Sequence, residues 1–417
     1  MKVLLLSVRT ERMAVPVLPV GLGMVAAAAR RAGHTVELLD LVPGTPPAAQ
    51  VGAAVARLRP DAIGVSVRNI DDQNMQAPRF LLSAAQPVIA ACRACSAAPI
   101  VLGGAGYSIF PGSALVWLGA DYGIRGDGEA AFTRLLACLA AGREPARIPG
   151  LHVRAAGAAT APRFDSEPGA GTWPVPETWG AAACGDPELL VPVQTRRGCG
   201  FDCSYCSTAS IEGRRVRTRP IASVLAHLRG LAEAGLRRVY FVDSVFNEPR
   251  DYALELCRRV AAERLPLAWR CILYPHRIDA ELVRAMAAAG CDEVSLGFES
   301  GSREILRNMN KRFGPEDVRN ASEVTAAFGL RRNGFLLLGG PGETLDSVAE
   351  SRSLADSLRL DTLKVTLGVR IYPGTPLADT ALREGLVGPA DDLLQPRFYL
   401  APTLRPHLPE LQQLASC

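Results

Sequence analysis

No uninterrupted apolar stretch in this chain is long enough to cross a bilayer. The longest uncharged run, Ala14 to Ala29, contains Pro16, Pro19, Gly21 and Gly23 and is mostly alanine beyond them, so it reads as a loop entering a helix. The opening MKVLLLSVRTERM has too short an apolar segment for a secretory signal before Arg9, Glu11 and Arg12 intervene. The expectation is a cytoplasmic protein whose 11 cysteines are reduced thiols. Charge of one sign is also lacking: 46 Lys plus Arg stand against 42 Asp plus Glu. With no basic run interleaved with aromatics, a nucleic-acid partner is not expected. What remains is 48% hydrophobic and 21% charged, the balance of a folded globular protein, and 417 residues are enough for two or three domains.

Apolar runs of strand length alternate with helical patterns twice. In the first series, strands at Lys2–Val8, Thr35–Leu41, Ala62–Val67, Pro99–Leu102 and Asp121–Arg125 alternate with helices at Val20–Ala32, Ala48–Leu58, Pro87–Cys95 and Glu129–Ala140. That order predicts an α/β domain over residues 1–148, a doubly wound, Rossmann-like and flavodoxin-like parallel sheet that binds ligands at its strand carboxyl ends. Three of those ends are unusual: Ser66-Val67-Arg68-Asn69, Gly103-Gly104-Ala105-Gly106 and Arg125-Gly126-Asp127-Gly128-Glu129. Paired glycines let a backbone approach a bulky ligand. Residues 149–189 are rich in Pro and Gly and read as a linker. Six further strand and helix units over 190–378 predict a partial (β/α)6 barrel of TIM type, followed by a short extension at 379–417.

The first barrel strand, Leu190–Gln194, leads into RRGCGFDCSYCSTASIEGRR, where Cys199, Cys203 and Cys206 form C-x3-C-x2-C with Tyr205 before the last thiol. Three thiolates suit an iron-sulfur cluster with one iron left open, since structural zinc normally takes four protein ligands. A zinc loop completed by a distant Cys or His, or a chance cluster in a chain with 11 cysteines, are the other readings of the same residues. The triad with its aromatic resembles the signature of the radical S-adenosylmethionine (SAM) superfamily. The resemblance implies that Cys199, Cys203 and Cys206 ligate a 4Fe-4S cluster whose open iron chelates SAM. It also implies SAM contacts from strand-end residues: Tyr205, Asp243, Asn247, Glu299, Ser300, Gly339, Gly340 and Arg370. The superfamily's Gly-Gly-Glu is absent, so Asp243 or Asn247 takes its place as the expected holder of the methionine amino group.

Ahead of that core, the strand-end loops together with Leu18–Asp40 resemble the cobalamin-binding domain that precedes many radical SAM cores. Ser66, Arg68, Asn69, Gly103, Gly104, Gly126 and Glu129 are the contacts that likeness implies. No D-x-H-x-x-G follows the first strand, where Arg9-Thr10-Glu11-Arg12 stands, so no histidine below cobalt is implied. The resemblance as a whole points to a cobalamin-dependent radical SAM enzyme. The expected reaction is methylation of an unactivated carbon or phosphorus centre through a 5'-deoxyadenosyl radical and methylcobalamin. An oxidative cyclase or ring-rearranging enzyme, and a non-catalytic cobalamin or redox sensor, are the alternatives. The implied partners are a small-molecule substrate, such as a natural-product or lipid intermediate, and a flavodoxin or ferredoxin as electron donor. Tyr274, His276 and Arg277, after the third barrel strand, are candidates to face substrate; equally, Pro275 marks a turn there and His276 reads as structural.

Overall fold

The structure, a computed structural model, describes residues 1–8, 18–41, 44–145, 147–155, 157–162, 164, 172–174 and 189–415. The Arg9–Arg12 stretch and most of the expected linker, Trp179 included, lie outside the described residues. The chain divides into two compact units, the first over Met1–Asp72, Phe80–Asp186 and Ser210–Gly213, the second over Gln73–Arg79, Pro187–Ala209 and Arg214–Cys417.

In the first unit β1 (Lys2–Ser7), β2 (Thr35–Asp40), β3 (Ala62–Ser66), β4 (Ile100–Gly103) and β5 (Tyr122–Ile124) form a parallel sheet in the order 2-1-3-4-5. Val3, Leu4, Leu5 and Leu6 are all buried because both sheet faces are covered, which makes β1 a continuous apolar run. Phe132, Leu135 and Leu136, from the helix Gly128–Ala140, pack with Val3, Leu5 and Val101 in one core cluster. Two short strands, β6 (Leu151–Val153) and β7 (Ala158–Ala159), extend the same sheet antiparallel beyond β5. The start of the expected linker therefore belongs to the sheet. These strands are too short for an alternation to show in a Pro- and Gly-rich stretch, and only the free edge of β5 fixes them.

The second unit is built on β8 (Leu190–Val193), β11 (Arg238–Phe241), β12 (Ala268–Leu273), β13 (Cys291–Glu299), β14 (Arg331–Leu338) and β15 (Thr362–Leu367). They pair in chain order, all parallel, with β8 and β15 at the edges. Unlike β1, these strands alternate: in β12 Trp269, Cys271 and Leu273 are buried while Arg270 and Ile272 are half-buried, as expected where one face is packed more tightly than the other. Between β8 and β11, β9 (Arg196–Arg197) and β10 (Arg217–Thr218) form a small antiparallel pair. The extension is integrated: β16 (Val369–Arg370) pairs with β17 (Phe398–Tyr399), and Ala401 N donates to Gly339 O at 3.0 Å. Among the described residues no helix is long and apolar enough to cross a membrane.

Candidate functional site

The cysteine loop springs from β8, and its approach is fixed from beneath. Asp243, just past β11, is fully buried and accepts from Thr195 N at 2.7 Å, Thr195 Oγ1 at 2.6 Å and Arg196 N at 3.0 Å. Arg196 Nε lies 3.2 Å from the same carboxylate, and its guanidinium sits 4.8 Å from the Tyr252 ring centre and 5.1 Å from that of Phe246. Burial pushes the Asp243 carboxyl up, against the pull of the Arg196 guanidinium. Asp243 is thereby a positioning residue for the loop; its oxygens are spent, so the expectation that it holds a methionine amino group is not met here. Asn247 is in the same position. Its Nδ2 donates to Tyr274 O at 2.9 Å and His276 O at 3.2 Å, and its Oδ1 accepts from Tyr274 N at 2.9 Å.

The loop itself is gripped from the opposite side by Met309–Phe313. Ser204 N donates to Met309 O at 3.0 Å, Asn310 Nδ2 donates to Asp202 O at 3.0 Å, and Arg312 sits over the Phe201 ring at 5.4 Å. Phe201 stacks on Tyr274 with centres 3.9 Å apart and planes 14° off parallel, and the Tyr274 hydroxyl accepts from Arg312 N at 2.9 Å. Burial pushes that phenol up to about 12. Tyr274 is thus part of the floor under the loop, not a group that faces substrate. Cys206 N closes a turn on Cys203 O at 3.1 Å.

Cys199, Cys203 and Cys206 are half-buried thiols, whereas Cys257, Cys271 and Cys291 are buried in the second unit's core. Burial pushes the Cys203 thiol up, and Lys311 beside it pulls it back down. Among the described residues no three His, Cys, Asp or Glu side chains gather as ligands of a single metal ion. Iron-sulfur clusters are held instead by cysteines that bind different irons of one cage. Three sulfur donors on a firmly held strand-end loop fit a 4Fe-4S cluster.

Around the loop, Glu299 ends β13 at φ +61°, just after a register shift between Gly297 and Glu299. A non-glycine residue in that region is uncommon and is held by its surroundings. Its Oε1 stands 3.2 Å from Lys311 Nζ, and both side chains are largely buried. Lys311 went unnoticed in the sequence. The signal was there: Lys2, Lys311 and Lys364 are the chain's lysines, in a protein whose other cations are arginines. Ser300, by contrast, is fully buried, with its Oγ 3.0 Å from Ser351 Oγ and accepting from Ser302 N. It braces the turn.

Gly339 and Gly340 directly follow β14, as expected of a backbone that meets a ligand, but their N–H groups donate to Glu343 Oε2. Glu343 is fully buried, and its Oε1 has no partner. Burial pushes its carboxyl up to about 7. Gly339 has φ +106°, and a Cβ there would lie 2.9 Å from Leu400 and 3.3 Å from the Gly368 backbone. Arg370, expected at SAM, instead donates to the carbonyls of Ile371 at its base and Leu393 at 2.9 Å, so it ties β16 to the extension. Of the residues named for SAM, Tyr205 and Glu299 lie at the cysteine loop; Asp243, Asn247, Ser300 and Arg370 are spent on backbone and neighbours.

In the first unit the ends of β3, β4 and β5 converge. Val67 N donates to Gly103 O at 2.8 Å and Gly106 N to Val67 O at 3.0 Å. Ser108 Oγ donates to Gly104 O at 2.9 Å and accepts from Gly126 N at 3.0 Å. Ser66, Arg68, Asn69, Gly103, Gly104 and Gly126 therefore share one edge, with Arg68 and Asn69 exposed. Gly104, at φ +100°, is fitted to the edge because a Cβ would lie 2.5 Å from Val67 O. That bare backbone rim suits a large flat ligand such as a corrin. Glu129 is 3% exposed in the first turn of its helix and does not face outward.

The radical SAM superfamily matches residues 193–355 and the B12 binding domain matches residues 7–136. An uncharacterized methyltransferase of Pyrococcus horikoshii is 29% identical over 64% of this chain and 59% of its own length. The tryptophan 2-C-methyltransferase of Streptomyces laurentii is 26% identical over 87% of this chain and 72% of its own length. A radical SAM methyltransferase of Kitasatospora setae, solved with tryptophan substrate and a SAM analog, superposes with TM-score 0.87 at 23% identity, over 99% of this chain and 88% of that one, and so shares its fold. The chain thus carries a B12 binding domain followed by a radical SAM domain, the domain order of the cobalamin-dependent radical S-adenosylmethionine family.

Proposed function

We propose that this chain is an enzyme that transfers a methyl group to an unactivated carbon of a small molecule, using a 4Fe-4S cluster, SAM and cobalamin. The observation that carries the reading is the loop of Cys199, Cys203 and Cys206, with three half-buried thiols at the end of the first strand of a parallel (β/α)6 unit. Cys199, Cys203 and Cys206 would hold the cluster, and the edge formed by Ser66, Arg68, Asn69, Gly103, Gly104 and Gly126 would hold cobalamin. Bound there, these groups supply one-electron chemistry on SAM and a carrier for the methyl group.

The chain's own part is to bind, orient and exclude water. Arg196 and Asp243 fix where the loop begins, and Met309–Phe313 fix how far it stands from Tyr274. Glu299 and Lys311 place opposite charges beside it, which would suit the amino group and carboxylate of SAM. Gly339 and Gly340 offer a side-chain-free wall. A flavodoxin or ferredoxin fits as the electron donor, and the cytoplasm as the compartment.

Free tryptophan is the first substrate to try, since a relative matched over 87% of this chain is a tryptophan methyltransferase. The test is anaerobic incubation of the reconstituted holoenzyme with SAM, methylcobalamin, a low-potential reductant and tryptophan, followed by mass spectrometry. Methylated product formed together with S-adenosylhomocysteine supports the reading. SAM cleavage with a rearranged but unmethylated product across a substrate panel contradicts it in favour of a cyclase, and cofactor binding without turnover contradicts it in favour of a sensor.

A further inference from the structure

Lys311 is the buried member of the chain's three lysines; Lys2 and Lys364 are exposed. Its side chain is 4% exposed, a costly place for an ammonium unless that charge is used. Three rings surround it, with Nζ 5.2 Å from the centre of Tyr205, 5.7 Å from Tyr274 and 5.8 Å from Phe313. Those are cation–π distances, and the cage leaves the ammonium little freedom to swing away. Glu299 Oε1 at 3.2 Å supplies the counter-charge. Its neighbours in sequence, Met309, Asn310 and Arg312, are the residues that clasp the cysteine loop. Apart from the exposed Lys2 and Lys364, this protein's other Lys and Arg cations are arginines; a compact point charge is what an ammonium offers and a planar guanidinium does not.

We propose that Lys311 is a positioning residue that acts as a fixed cation beside Cys203, making a cluster held by the cysteine loop easier to reduce, while Glu299 opposes it. A positive charge near the cluster offsets the negative charge that arrives with the electron, and local charge is among the factors that set iron-sulfur potentials. The inference rests on the cluster reading of the preceding subsection. Glu299 and Lys311 are predicted to move the potential in opposite directions, which a purely packing role for either side chain does not do.

The test uses the full chain, reconstituted anaerobically, with iron and sulfide counted and the reduced cluster quantified by EPR at fixed applied potentials. Lys311→Met is expected to lower the ratio of reduced to oxidised cluster at least tenfold, which for a one-electron couple is about 59 mV toward the negative. Glu299→Gln is expected to raise that ratio, and Lys311→Arg to stay close to wild type. Should Lys311→Met fail to take up iron, Glu299→Gln/Lys311→Met, which leaves no buried carboxylate unpaired, is read in its place. It is expected to load and still to reduce less readily than wild type. Ratios within twofold of wild type in Lys311→Met and Glu299→Gln, shifts of the same sign in both, or a double variant that reduces like wild type or takes up no iron would each overturn the proposal. A wild-type protein that takes up no iron instead overturns the cluster reading itself.

Discussion

Replacing Asp243 by alanine removes the carboxylate that gathers Thr195 N, Thr195 Oγ1, Arg196 N and Arg196 Nε beneath the cysteine loop. The guanidinium left behind is 1% exposed, so water does not replace the lost partner. Taking one partner from a buried ion pair costs about 3–5 kcal/mol. Each kcal/mol moves the midpoint of a unit this size by roughly 2–4 °C, so a fall on the order of 10 °C is expected. Because Thr195 and Arg196 lead straight into the loop, iron uptake on anaerobic reconstitution should fall as well. Asp243→Asn keeps the shape but turns one acceptor into a donor, and should lie between wild type and Asp243→Ala. Calorimetry of the metal-free protein and an iron assay check both. An Asp243→Ala protein that melts with wild type and loads iron fully, but no longer binds SAM, would refute the positioning role and return this carboxylate to the methionine amino group.

Burial raises the Glu343 carboxyl from 4.5 to about 7. An acid whose folded value is the higher one binds more protons when folded, so its contribution to stability falls as pH rises from about 4.5 to about 7 and is constant above, by about 3 kcal/mol in all. Urea midpoints measured across that window should show the fall in wild type, and Glu343→Gln should lack that component of the slope. Gly104→Ala puts a methyl 2.5 Å from Val67 O at a φ of +100°, where an L-residue is strained. Cobalamin uptake, read by absorbance, should drop in Gly104→Ala while iron uptake stays at the wild-type level; equal corrin uptake would detach this rim from the cofactor.

The fold was readable because its strands are either continuous apolar runs, as in β1, or clean alternations, as in β12, with helices of ordinary length between them. The helices Ala105–Ile109 and Arg303–Asn308 were missed because five or six residues carry too little periodicity to stand out. For the site, the sequence marks the ends of strands, which is where Cys199, Glu299 and Gly339 do lie. It does not tell which polar side chains there are already spoken for. Asp243 and Arg370 read as ligand contacts until their partners are seen, and those partners are backbone groups and, for Asp243, the side chains of Thr195 and Arg196, up to 48 residues away. Lys311 escaped for the converse reason. It follows a helix rather than a strand, and only the folded chain carries it to the cysteines.

The activity proposed for this chain depends on what the thiols of Cys199, Cys203 and Cys206 hold. Anaerobic reconstitution of the full chain with iron and sulfide, followed by metal analysis and Mössbauer or EPR spectroscopy, measures this directly. About four irons and four sulfides per chain are expected, the content of the 4Fe-4S cluster that three cysteines with one open iron imply, and none in Cys199→Ala/Cys203→Ala/Cys206→Ala. A single tightly bound, four-coordinate zinc in the wild-type protein, or the same iron content in the triple variant, would contradict it.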